Sequence, residues 1–264
     1  HDLYSGTLVQ AIFETLYTYD YLAQPAKIVP LTAEALPQVT DQGRTWTIRL
    51  RQGIRFAADP VFRGAPRELV AADYVYSLKR LVDPKIRSPW AFLVAGKFAG
   101  LDELADEAKR AGRFDYDRRI AGLEAVDRYT LRLRLLRPDY NLPNVLAHHP
   151  TSAVAREVVE AYAEAGGRAL ANPVGTGPYR LDRWVRASKI SLAANPEYRG
   201  FTWDFAAGDP ADLPLVAAMR GVPAELVLPT LERVGLEAPP DRRIDRLEVE
   251  DVRRGPVAGP GGPE

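Results

Sequence analysis

Three kinds of side chain in this sequence could carry chemistry, and spacing limits each of them. Histidine occurs only at His1, His148 and His149. Neighbouring residues on a helix or strand point in different directions, so His148 and His149 do not readily share a metal ion. Cysteine is absent, which removes thiolate ligands, a thiol nucleophile and disulfides. No metal site is therefore expected, and the two adjacent histidines read as surface or capping residues. Serine, aspartate and histidine are all present, yet no serine sits in a nucleophile-elbow pattern, and no catalytic residue is assigned.

Carboxylates gather at Asp102, Glu103, Asp106 and Glu107, followed by Lys109 and Arg110. Their i, i+4 spacing is that of a solvated helix face rather than of a catalytic pair. PVGTGPY (173–179) sets Thr176 between two glycines. A phosphate-binding loop needs four residues between its glycines and a lysine after them. Neither is present, so the segment reads as a tight Gly/Pro turn launching a strand. Tyr17, Tyr19 and Tyr21 follow the first predicted helix, and Trp90 with Phe92 follows Asp83-Pro84. Aromatic rings at helix ends usually serve packing.

The elements that would position these residues are marked by period. Leu8, Val9, Ile12, Phe13 and Leu16 recur at helical spacing and predict an amphipathic helix over 3–17. Residues 45–51 alternate strictly, with Trp46, Ile48 and Leu50 on one face, after a turn at Asp41-Gln42-Gly43. Residues 130–136 repeat the design with Leu131, Leu133 and Leu135, paired through a turn at Asp127-Arg128 with a strand at 120–126. Two strands with one polar face predict an antiparallel sheet wet on one side. A helix is expected over 72–82, stopped by Asp83-Pro84. It begins after Val70 and Ala71, where no capping side chain stands, so a cap worth about 1 kcal/mol would be missing. Further helices are expected at 98–111 and 152–165, the latter closed by Gly166-Gly167, then two strands between 177 and 195 joined near 186–188. Another strand lies within 242–252. Residues 251–264, rich in Gly and Pro, read as a disordered tail.

Bulk composition narrows the classes. The 264 residues can bury a core of one large or two modest domains. Lys plus Arg and Asp plus Glu both number 35, for zero formal charge, which argues against a nucleic-acid binder. No apolar run approaches the roughly 18–20 residues a membrane span requires.

Several blocks, in order, carry a resemblance: IFETLYTYD (12–20), WTIRLRQGIRF (46–56), ADYVYSLKRLVDP (72–84), VDRYTLRLRLLRP (126–138), PVGTGPYRLDRW (173–184) and ISLAANPEYRG (190–200). Together they resemble the first half of the family 5 extracellular solute-binding proteins, the oligopeptide and dipeptide receptors of ABC importers. The resemblance implies an α/β, two-lobed, periplasmic-binding-protein-like (type II) fold, here truncated. Residues 1–36 and 172–250 would belong to the large lobe, the second segment incomplete, and residues 37–171 would form the small lobe. It also implies a periplasmic or cell-envelope location, with any signal peptide outside this chain. The expected partners are a small peptide or other solute and the membrane permease subunits of an importer, with no nucleic acid and no cofactor. Ligand contacts are carried over to Tyr4 and Ser5 before the first block, to Trp90 and Phe92 in SPWAF (88–92), and to Thr176 in the inter-lobe segment. The second half of such a receptor has no counterpart here, so the expectation is weak peptide binding at most and an exposed large-lobe face that favours self-association. The alternative is a derivative that binds no solute and acts as an interaction module.

Overall fold

A computed structural model describes residues 3–20, 23–163, 171–185, 189–200 and 246–250. In chain order the elements are α1 (Leu3–Ile12), β1 (Tyr17–Asp20), β2 (Lys27–Pro30), β3 (Gln38–Thr40), β4 (Thr45–Arg49), α2 (Ala71–Arg80) and α3 (Leu101–Ala111). There follow β5 (Leu123–Ala125), β6 (Thr130–Arg134), α4 (Leu142–Leu146), α5 (Arg156–Ala161), β7 (Tyr179–Val185), β8 (Lys189–Ala194) and β9 (Arg246–Glu250).

The two alternating segments become neighbours. Strand β4 runs antiparallel to β6, with Trp46 opposite Leu133 and Ile48 opposite Leu131. All four side chains are buried, and each is worth about 1.5–3 kcal/mol against exposure. The alternate residues, Thr45, Thr47 and Arg49 on β4 and Thr130, Arg132 and Arg134 on β6, are half-buried or exposed, so the sheet β3-β4-β6-β5 has the single wet face the pattern required. Against its dry face lie Tyr74 and Leu78 of α2, one turn apart, with Phe56, Phe98 and Leu101. Leu16, Tyr17 and Ala33 join the same core. A smaller cluster, Ala11, Ile12, Tyr179 and Leu192, seats α1 on the sheet β7-β8-β9.

Three elements are shorter than their periodicity suggests. Helix α1 stops at Ile12 because the Ile12 carbonyl accepts the Gly177 amide at 2.8 Å, and the Tyr-Thr-Tyr run then pairs with β2. Helix α3 begins at Leu101, since Gly100 before it has φ +82°. Helix α5 begins only at Arg156 because the preceding stretch is drawn out toward α2, the Val154 amide donating to Ser77 Oγ at 2.9 Å. The expected closure at Gly166-Gly167 and the tail at 251–264 lie outside the described residues.

The missing cap on α2 is replaced from inside the helix. Asp73, in the first turn, accepts the Val70 amide at 2.9 Å, which is the return half of a capping box. The same carboxylate takes a forked pair of bonds from Arg67 at 2.6 and 2.9 Å. Arg67 also donates to Glu157 of α5 at 2.5 Å and lies over the Phe56 ring. Burial pushes the Asp73 carboxyl up even though the Arg67 bonds pull it down. The pair is thus held together by what its separation would cost. Arg67→Ala should lower stability by about 3 kcal/mol, read as the urea midpoint. Lys109→Ala, which removes an exposed partner of Asp106, should leave the urea midpoint almost unchanged. Equal costs for the two would refute this account.

Candidate functional site

Helix α4 and the turn after it form one wall of a cavity of about 460 Å³. Leu142, Val145 and Leu146 are buried in the core, which turns the other face of this short helix, with Asn144 and Ala147, toward the cavity. A 3-10 turn, His149–Thr151, follows with Pro150 in its first positions. Thr151, 1 % exposed, locks this turn by donating to the carbonyl of His148 at 2.8 Å. His148, His149 and Ser152 therefore project together on the cavity wall.

The opposite wall comes from the end of α1, from β1 and from Tyr198 beyond β8. Tyr19 donates its hydroxyl to Asn144 Oδ1 at 3.0 Å, a polar contact from one wall to the other. Glu14 is 4 % exposed and fully engaged, because Arg199 grips it with two bonds of 2.7 and 2.8 Å. This bidentate pair also ties the residues after β8 to the segment between α1 and β1.

Trp90 packs its ring against both histidines, with centroids 4.9 Å from His148 and 5.6 Å from His149. Phe92, 64 % exposed, lies 6.0 Å from Trp90. The two imidazoles are 4.7 Å apart. Burial lowers the pKa of His148, and burial together with the neighbouring His148 lowers that of His149. Both shifts favour the uncharged rings. Two atoms on this wall, His148 Nδ1 and Ser152 Oγ, are buried with no hydrogen-bond partner among the described residues. Each such atom costs roughly 1–3 kcal/mol if it stays unpaired.

The residues expected to contact ligand divide into three places. Trp90 and Phe92 come together beside the histidines. Tyr4 and Ser5 belong to the first turn of α1, and their side chains lie outside the described part of the structure. That turn is nevertheless close, since a Cβ on Gly6 would sit 3.8 Å from His149 Cε1. Thr176 is 2 % exposed and away from the cavity wall, in a loop pressed on the last turn of α1. The histidines, read from sequence as surface or capping residues, instead line the cavity, and Ser152, Glu14 and Arg199 were missed. The only signal was two histidines and a proline directly after an apolar run.

Among the described residues the wall offers polar groups and neighbouring aromatic rings. A nucleophilic serine needs a base within hydrogen-bonding reach, whereas neither Ser152 Oγ nor His148 Nδ1 is bonded to the other. No group of three His, Cys, Asp or Glu that could hold a metal ion occurs among the described residues.

Residues 27–216 match the family described as bacterial extracellular solute-binding proteins, family 5 Middle. The chain is 31% identical over 188 residues to the periplasmic oligopeptide-binding protein OppA of Escherichia coli (strain K12), covering 71% of this chain and 31% of that one. It is 30% identical over 189 residues to the glutathione-binding protein GsiB of the same strain, covering 71% and 30%. Among solved structures, Burkholderia pseudomallei OppA superposes with a TM-score of 0.59 at 26% identity, over 75% of this chain and 35% of that one. The unliganded open form of the periplasmic murein tripeptide binding protein MppA superposes with a TM-score of 0.58 at 25% identity, over 89% and 44%. The match thus spans about a third of the length of the curated relatives.

The depressed imidazoles have a consequence for stability. An unfolded chain carries them at the ordinary value of 6.5 and so binds more protons than the folded chain just below that pH. The stabilisation they contribute is complete above 6.5 and is lost as pH falls through the lower folded values. The melting temperature should fall between about pH 7.5 and about pH 5.5, and His148→Gln/His149→Gln should flatten that slope. A slope unchanged in the double variant would overturn this assignment.

Proposed function

Because the chain belongs to the bacterial extracellular solute-binding proteins of family 5, we propose that it captures a solute between two lobes without making or breaking a bond. Its fold is that of the type II periplasmic binding proteins, of which it represents a part. The solute is an oligopeptide, and the setting is an ABC importer at the cell envelope, whose permease subunits would receive the cargo. The relatives support this reading, since they are oligopeptide-, glutathione- and murein tripeptide-binding proteins. In this reading residues 1–36 and 172–250 form one lobe and residues 37–171 the other.

The observation that carries the proposal is the shared cavity. One of its walls, with Phe13, Glu14 and Tyr198, falls in the first proposed lobe, and the other, with Asn144, His148 and Ser152, falls in the second. Trp90 and Phe92 stand beside the histidines as an aromatic platform, with Tyr4 and Ser5 in the adjoining turn of α1. A bound peptide would gain affinity there from its backbone, which is common to all sequences, and from the rings.

The test is thermal melting with peptides of two to six residues. A ligand at ten times its Kd stabilises the folded state by about 1.4 kcal/mol, or roughly 3–5 °C for a chain of this size. A saturable rise of that order, reduced by Trp90→Ala, is the expected result. No rise with any peptide at millimolar concentration would refute peptide capture by this chain.

A further inference from the structure

We propose that Tyr198 is a specificity-determining residue of the cavity, held in place by Asn195 and Arg199, and that with Phe13 and Leu31 it receives an apolar side chain of the ligand. This rests on the capture reading above and adds the chemistry of what is captured.

The run Asn195-Pro196-Glu197-Tyr198 forms a tight turn for reasons local to its sequence. Proline presets the backbone angle at the second position, and the Tyr198 amide donates back to the Asn195 carbonyl at 3.1 Å. The Asn195 side-chain oxygen accepts the Glu197 amide at 3.1 Å, as asparagine does when it opens a turn. Asn195 is 2 % exposed, and its two remaining polar groups bond to the loop before β7. Its amide donates to the Pro178 carbonyl and its side-chain nitrogen to the Gly177 carbonyl, both at 2.8 Å. All four polar groups of Asn195 are thereby engaged. After Tyr198, the Arg199 guanidinium is fixed by its two bonds to Glu14 and one to the Leu31 carbonyl at 3.3 Å. It also stands over the Tyr198 ring, 5.4 Å from the centroid. Tyr198 is thus anchored from both sides along the chain, and its place on the cavity wall is set before a ligand arrives.

The neighbours of Tyr198 decide what it can receive. Phe13, Leu31 and Tyr198 all line the cavity and are half-buried, so each keeps surface that a ligand can cover. Among the described residues no lysine or arginine lines the cavity, and Glu14 is its one acidic side chain. Both Glu14 oxygens already accept from Arg199. An apolar side chain seated here removes its own surface and that of the wall from water. A charged one would shed water without gaining an opposite charge from the described residues.

Tripeptides of alanine carrying a single Leu or Phe at the first, second or third position, with Asp and Lys counterparts, test this by calorimetry. In one register the Leu and Phe peptides should bind about tenfold tighter than the charged ones. Tyr198→Ala should cut that ratio at least severalfold, whereas Tyr198→Phe, which keeps the ring, should retain it. Asn195→Asp preserves the shape of the side chain but cannot donate to Gly177, and should also shrink the ratio. Arg199→Lys, which loses the forked grip on Glu14, takes its place if that variant does not fold. An asparagine or arginine that merely supports the fold would lower the melting temperature and leave the ratio between peptides as it was. No preference for the apolar peptides, or one that survives Tyr198→Ala, overturns the proposal while capture stands. A ratio unchanged in the folded Asn195 or Arg199 variant overturns their positioning role. If no peptide binds, capture itself is refuted and the proposal falls with it.

Discussion

At the end of α1 two backbone carbonyls lie so near the loop 175–177 that only hydrogen fits between. A Cβ on Gly175 would fall 2.0 Å from the Ile12 oxygen, and one on Gly177 2.7 Å from the Ala11 oxygen. Both obstacles are backbone, so no rotamer change could relieve them. The close approach allows the Gly177 amide to satisfy Ile12 and the Gly175 carbonyl to accept from Ala57 at 2.8 Å. One short loop thereby joins the first helix, the larger core and the strand β7 that follows it. The wall formed by the end of α1 takes its position from this contact.

Polar burial in this protein follows two patterns with different consequences. Around α2, Arg67, Asp73 and Glu157 form a network in which the principal oxygens and N–H groups are matched. Such a network adds little net stability but makes any alternative packing costly, because a separated member would be a buried bare charge. The Glu14–Arg199 pair follows the same rule across the cavity wall. On the facing wall His148 and Ser152 break it. Local violations of polar matching concentrate at sites shaped for something other than stability.

Legibility from sequence followed the length over which a pattern repeats. Strands β4 and β6 were readable because five alternating residues can have only one dry face, and their pairing followed from two such faces needing cover. The turn before β4 and the hairpin β7-β8 were readable for similar reasons. Helix lengths were not, because the residues ending α1 and delaying α5 belong to distant segments: Gly177 in one case and Ser77 in the other. The cap on α2 was overlooked for a related reason. Its acceptor is supplied by Asp73, three residues inside the helix, and is oriented by Arg67.

The amino-acid order by itself determined the strands, the helix faces, the tight glycine turn, the absence of thiol chemistry and the family resemblance. Those properties depend on neighbours within a few residues, or on residue types alone. Tertiary structure alone decided that Trp90 meets His148 and His149, fifty-eight and fifty-nine residues away (148 − 90 and 149 − 90). It also decided that Glu14 is neutralised by Arg199 across 185 residues. Such contacts are set by how whole layers stack, and a surface histidine and a cavity histidine look the same until the layers are in place.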